Sequence, residues 1–140
     1  MKGKTMQEIH VGDVASFAKT ISESDVYLFA GISGDVNPAH LNEEYAKGTM
    51  FKKRIAHGVL SLGLVSAVLG NQVPGPGTIY LKQEVKFLAP VYFGDTITAQ
   101  IQVLEKVEER NRIRVRTWCT NQDGTIVLEG EAMVMPPKQG

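Results

Sequence analysis

Two hydrophobic periods divide this chain. In the first half the pattern is helical. Ser22 precedes Asp25 by three residues, and apolar Val26, Leu28, Phe29 and Ala30 follow, which predicts a capped short helix that Gly31 can end. Between Ser33 and Pro38 stand Ser, Gly, Asp, Asn and Pro, and Asn37 before proline is pushed away from helical geometry, so this stretch reads as a fixed loop. A second short helical piece is expected from Asn42, with Glu43 and Glu44 where the helix dipole favours negative charge. From His57 to Leu69 the residues are apolar on nearly every face, relieved only by Ser61, Ser66 and small residues, so a buried helix is expected there. Gly70-Asn71 stops it, and Val73 to Gly77 is turn material.

After Gly77 the period becomes two. A strand is expected from about Thr78 to Leu88, followed by a turn at Gly94-Asp95. Ile97, Ala99, Ile101 and Val103 alternate with polar residues, as do Ile113, Val115, Thr117 and Cys119 with Arg112, Arg114, Arg116 and Trp118, which predicts half-buried strands. Asp123-Gly124 signals a hairpin. An early strand from Ser16 to Ile21 completes the sheet, although its alternation is mixed. The sum is an α+β arrangement in which an antiparallel sheet must cover one long apolar helix. Pro136 to Gly140 reads as a loose tail.

Composition narrows the picture further. The 140 residues suit a single domain spanning 1–140, and 43% hydrophobic with 21% charged residues is ordinary for a globular core. Fifteen basic residues balance fifteen acidic ones, so no overall positive field draws nucleic acid or an anionic membrane. No apolar run approaches a membrane span or a signal peptide, which together with the single Cys119 leads to the expectation of a cytoplasmic protein. Cys119 is expected to be a buried small hydrophobe rather than a reactive thiol.

Candidate chemistry concentrates in two places. Asp35 and His40 stand five apart around Pro38, a carboxylate and an imidazole able to share one cleft and hold a water between them. A plainer reading makes Asp35 a turn residue bonding its own backbone and His40 a surface residue. His57-Gly58 opens the apolar helix, where unpaired N–H groups and the positive dipole end are available and Gly58 permits close approach of a ligand. The plainer alternative is a packing glycine after a polar helix-start histidine, and for His57 that alternative is preferred. Lys52-Lys53-Arg54 is either a solvated charge run or a seat for phosphates. A metal site from His10, His40, His57 and Asp35 is not expected, since their spacing matches no familiar ligand pattern. Pro74 to Gly77 lacks the Lys-Ser/Thr of a phosphate loop. The alternating face of Arg110, Arg112, Arg114 and Arg116 most simply meets water or a neighbouring subunit.

Phe29-Ala-Gly-Ile-Ser-Gly-Asp35-Val-Asn37-Pro-Ala-His40 followed by Phe51-Lys-Lys-Arg-Ile-Ala-His57-Gly58-Val-Leu60 resembles the MaoC-like, (R)-specific enoyl-CoA hydratase family. Gly75-Pro-Gly-Thr-Ile-Tyr80 and Lys86-Phe-Leu-Ala-Pro-Val-Tyr-Phe-Gly-Asp95-Thr96 extend the likeness along nearly the whole chain. The resemblance implies a hot-dog fold, usually paired in dimers whose sheets join edge to edge. It implies Asp35 and His40 as the catalytic pair, Gly58 as the backbone oxyanion donor, Ser66 near the acyl pocket and Asn37 supporting the loop. The implied reaction is reversible syn hydration of a trans-2-enoyl thioester of CoA or acyl carrier protein, without a cofactor. A thioesterase of the same fold is the nearest competitor; many carry a carboxylate on the central helix, and this chain has neither Asp nor Glu from His57 to Gly70. A non-catalytic acyl-thioester binding domain is the competitor of another class.

Overall fold

The computed structural model describes residues 1–138. Its main elements are β1 (Val14–Thr20), α1 (Glu23–Ser33), α2 (Pro38–Leu41), α3 (Glu43–Lys47), α4 (Gly58–Asn71), β2 (Ile79–Phe87), β3 (Thr96–Val107), β4 (Arg112–Thr120) and β5 (Ile126–Met135). The strands form one antiparallel sheet in the order β1-β3-β4-β5-β2. This sheet curls over α4, which packs chiefly against β3 and β1, the hot-dog arrangement. Among the described residues no helix is long and apolar enough to cross a membrane.

The period-two stretches behave as alternation dictates. Ile97, Ala99, Ile101, Ile113, Val115, Thr117 and Cys119 are all fully buried, while their neighbours face outward. Two arginines of β4 find partners on β5, Arg114 pairing with Glu131 at 3.0 Å and Arg116 with Glu129 at 4.0 Å, and Arg116 also lies over the Trp118 ring of its own strand at 4.1 Å. The hairpin forms at Asn121–Thr125, where Gly124 takes φ 79° and the Asn121 carboxamide oxygen accepts from Asp123 and Thr125 N–H. The early strand begins at Val14, two residues before the expected start. Pro136 is not loose, because it is buried and its carbonyl accepts from the Asn111 side chain at 2.9 Å; Gln139 and Gly140 of the expected tail lie outside the described residues.

Two helical expectations are corrected. Gly31 keeps helical geometry and α1 runs on to Ser33; it ends at Gly34, which takes φ 78° and donates to the Ala30 carbonyl at 2.9 Å. The helix α4 is sealed along one face only. Leu64, Val65, Val68 and Leu69 are buried, but Val59 is 52% exposed, and Gly58, Gly63 and Ser66 are open. A sheet covers one stripe of a helix, and among the described residues nothing covers the opposite stripe.

Candidate active site

The connection from α1 to α2 is shaped residue by residue. Asp35 N–H donates to Ser33 Oγ at 3.1 Å, and Asn37 N–H donates to Asp35 Oδ1 at 3.3 Å. The turn-residue reading of Asp35 is thus met, yet one carboxylate oxygen remains uncommitted to these bonds. Asn37 caps α2 by accepting from Ala39 N–H at 3.0 Å, and Pro38 sits at the first helical position, where its missing N–H costs nothing. His40 therefore stands on a single helical turn that begins at Pro38. Its Nδ1 lies 2.7 Å from the Ile55 carbonyl. A carbonyl only accepts, so Nδ1 carries the hydrogen and Nε2 is the free nitrogen.

A second segment, Arg54 to Gly58, comes up against the first. Ile55 N–H donates to the Ala39 carbonyl at 3.2 Å and Ala56 N–H to the Val91 carbonyl at 2.7 Å, which fixes the approach to α4. His57 is 1% exposed, stacks on His40 with ring centroids 3.8 Å apart, and places Nε2 2.9 Å from the Asp35 carbonyl. An Asp35 carboxylate oxygen and one ring nitrogen from each of His40 and His57 lie within 4.8 Å of one another. Gly58 follows as the first residue of α4, so its N–H has no acceptor within the helix and sits at the positive dipole end. A side chain there requires Phe87 to shift, since a Cβ would stand 2.7 Å from Phe87 Cδ1. Beside Gly58 opens an apolar cleft of about 350 Å³, lined by Met50, Phe51, Ile55, Phe87, Leu88 and Pro90 among others. Larger depressions on the outer face of the sheet near Arg116 and Glu129, and around residues 1–8, hold no such acid/base grouping.

The remaining candidates fall into different surroundings. Arg54 does not wait for a phosphate: it donates to Glu43 at 2.9 Å, to the Tyr27 hydroxyl at 2.8 Å and to Glu23 at 3.2 Å, and lies over the Phe93 ring. Hydrogen bonding to Tyr27, opposed by partial burial and reinforced by Glu43, holds its guanidinium above the usual value. These bonds tie α1 and α3 to the approach of α4. Lys52, at φ 67°, and Lys53, whose Nζ lies 4.4 Å from the Tyr92 ring centroid, are both exposed beside Phe51 of the cleft wall. Ser66 is on the open face of α4, about 12 Å along the axis from Gly58 at 1.5 Å per residue. Cys119 is fully buried, and burial pushes its thiol up to about 12, which keeps it unreactive.

Spacing along the chain does not foresee that Asp35, His40 and His57 gather; His10 is exposed and outside this group. The two rings are stacked at 29°, so their in-plane lone pairs run side by side instead of converging on one point. That donor set suits proton transfer better than chelation. His57 is the residue that sequence reasoning undervalued. The available signal was that two of the chain's three histidines flank the proposed site.

A family model described as a MaoC-like domain matches residues 7–124. The chain is 58% identical to an (R)-specific enoyl-CoA hydratase of Rhodospirillum rubrum, over 96% of this chain and 92% of that protein. It is 46% identical to a 3-hydroxybutyryl-CoA dehydratase of Methylorubrum extorquens, over 95% of this chain and 84% of that one. The unliganded R-hydratase of Pseudomonas aeruginosa superposes with a TM-score of 0.92 at 46% identity, covering 98% of this chain and 88% of that one. Motif order, fold and similarity over nearly the full length agree, and the chain belongs to the MaoC-like domain family.

Proposed function

We propose that this protein is an (R)-specific hydratase that adds water to trans-2-enoyl-CoA to give (R)-3-hydroxyacyl-CoA, and catalyses the reverse dehydration. The observation that supports this reading best is the meeting of the Asp35 and His40 side chains beside the N-terminus of α4. Two hydrogen bonds of about 2.8 Å meeting at a tetrahedral oxygen span roughly 4.6 Å, so the closeness of these groups suits a single bridging water. The thioester carbonyl then docks at Gly58 N–H, where the oxyanion formed on addition is stabilised by the helix terminus.

In this mechanism Asp35 is the base. It takes one proton of the water as the oxygen bonds to C3, while the free Nε2 of His40 accepts from the other O–H and orients the molecule. The electron pair of the double bond moves toward the carbonyl, and the proton held by Asp35 is delivered to C2, which regenerates the carboxylate. Both new bonds form from one face, giving syn addition. Lys52 and Lys53 meet the phosphates of the CoA handle, Ser66 lies along the acyl path, and Asn37 contributes by holding the turn that presents His40. Two relatives named for CoA thioesters favour CoA over a carrier protein as the handle.

The working unit in this reading is a homodimer. At its outer edge β2 has no strand partner among the described residues, and it exposes Ile79 (53%) and Phe87 (53%). Sedimentation of a dimer is the expected result. The catalytic reading is tested by following loss of enone absorbance with crotonyl-, hexenoyl- and octenoyl-CoA and resolving product stereochemistry. The (R)-3-hydroxy product is expected; binding without turnover, or release of free thiol, contradicts it.

A further inference from the structure

We infer that His57 is a positioning residue that sets the geometry between the acid/base pair and the oxyanion-binding N–H, an inference that rests on the hydratase reading above. His57 meets Asp35, His40 and the start of α4 at once. Its Nε2 lies 2.9 Å from the Asp35 carbonyl, its ring stacks on His40 at 3.8 Å, and its own peptide leads directly into Gly58. On another side the Phe29 ring lies 4.8 Å away, tilted by 47°, so the imidazole is confined by two aromatic rings.

The hydrogen bond to Asp35 matters because little else at Asp35 reaches beyond the loop. Its other bonds, to Ser33 Oγ and from Asn37 N–H, span only two residues each, whereas the His57 contact spans 22. Without it the Asp35 turn is tethered to its own neighbours and not to α4. The carbonyl can only accept, so Nε2–H is the hydrogen-bearing nitrogen. Nδ1 is buried with no partner among the described residues, so a hydrogen placed there would meet no acceptor. The surroundings thus select one tautomer, and that tautomer aims its donor at Asp35. If this position served packing alone, an apolar ring would fill it without leaving a polar atom buried and unpaired.

Two substitutions separate the hydrogen bond from the packing. His57→Phe keeps an aromatic ring against His40 and Phe29 but loses the donor; His57→Gln keeps an N–H near the position of Nε2. On crotonyl-CoA, His57→Phe is expected to lower kcat by about 10 to 10²-fold, the cost of misplacing a catalytic group by about 1 Å. KM should stay within about threefold, because substrate binding is left in place. Glutamine should recover most of the lost turnover. Wild-type kcat in His57→Phe overturns the inference, as does equal impairment of the two variants.

A measurement on the unaltered protein covers the case in which a variant does not fold. The ¹⁵N shifts of the His57 imidazole should report the Nε2–H tautomer, and an Nδ1–H tautomer overturns the assignment. Failure of the underlying reading looks different. In that case Asp35→Asn retains its turnover while the His57 tautomer is still Nε2–H.

Discussion

Along one face of α4, Leu64, Val65, Val68 and Leu69 are sealed beneath the sheet; along the other, Gly58, Val59, Gly63 and Ser66 lie open. Both faces are built of apolar and small residues, and neither carries a charge. Their difference lies in what meets them. The covered face is closed by β1 and β3 of the same chain and holds the fold together. The open face begins at the helix terminus where Asp35, His40 and His57 gather, beside the apolar cleft, and no other element among the described residues closes it. An apolar surface states that something must cover it, without saying what does.

This division can be broken by substitutions on either side. The largest effect belongs to the open end: His40→Ala should lower kcat on crotonyl-CoA by about 10² to 10⁴-fold while cooperative unfolding persists, as checked by steady-state kinetics and thermal melting. Next comes the sealed face, where Leu69→Ala should cost about 2 to 5 kcal/mol in urea unfolding by leaving a cavity, with turnover per folded molecule preserved. If Leu69→Ala abolished turnover in the folded fraction, the two faces would not be functionally separate. Gly58→Ala stands between them. Its methyl group would meet Phe87 at 2.7 Å, and the resulting shift is expected to lower kcat about tenfold, or about 1.4 kcal/mol in barrier height. The smallest effect is expected from Val59→Ser, which should change the unfolding free energy at low protein concentration by no more than about 0.5 kcal/mol.

How much of this was readable from the chain depends on how local each cause is. The strands were legible because alternation is a local property: Ile97 through Val103 and Ile113 through Cys119 each carry their burial pattern in the sequence itself. The helix cap at Ser22 was legible for the same reason, with Ser22 and Asp25 bonding each other's backbone N–H. The end of α1 was not, since Gly31 and Gly34 are both able to stop a helix and only the left-handed turn at Gly34 decides between them. The ion pairs of Arg54 were not legible, because its partners Glu23 and Glu43 are 31 and 11 residues away, beyond any local pattern. His57 was undervalued for a related reason. Its stacking on His40 and its bond to the Asp35 carbonyl exist only once α1, α2 and the start of α4 have been brought together. Asp35 and His40 stood out because the motif pair carried them, yet the closeness of their side chains to His57 is tertiary.

The central claim is that Asp35 supplies the base for water addition, and the most direct measurement compares wild type with Asp35→Asn on crotonyl-CoA, by enone absorbance and product stereochemistry. The wild-type protein is expected to form the (R)-3-hydroxy product, and the folded variant to lose about 10² to 10⁴-fold in kcat. Near-normal turnover in folded Asp35→Asn would contradict the claim.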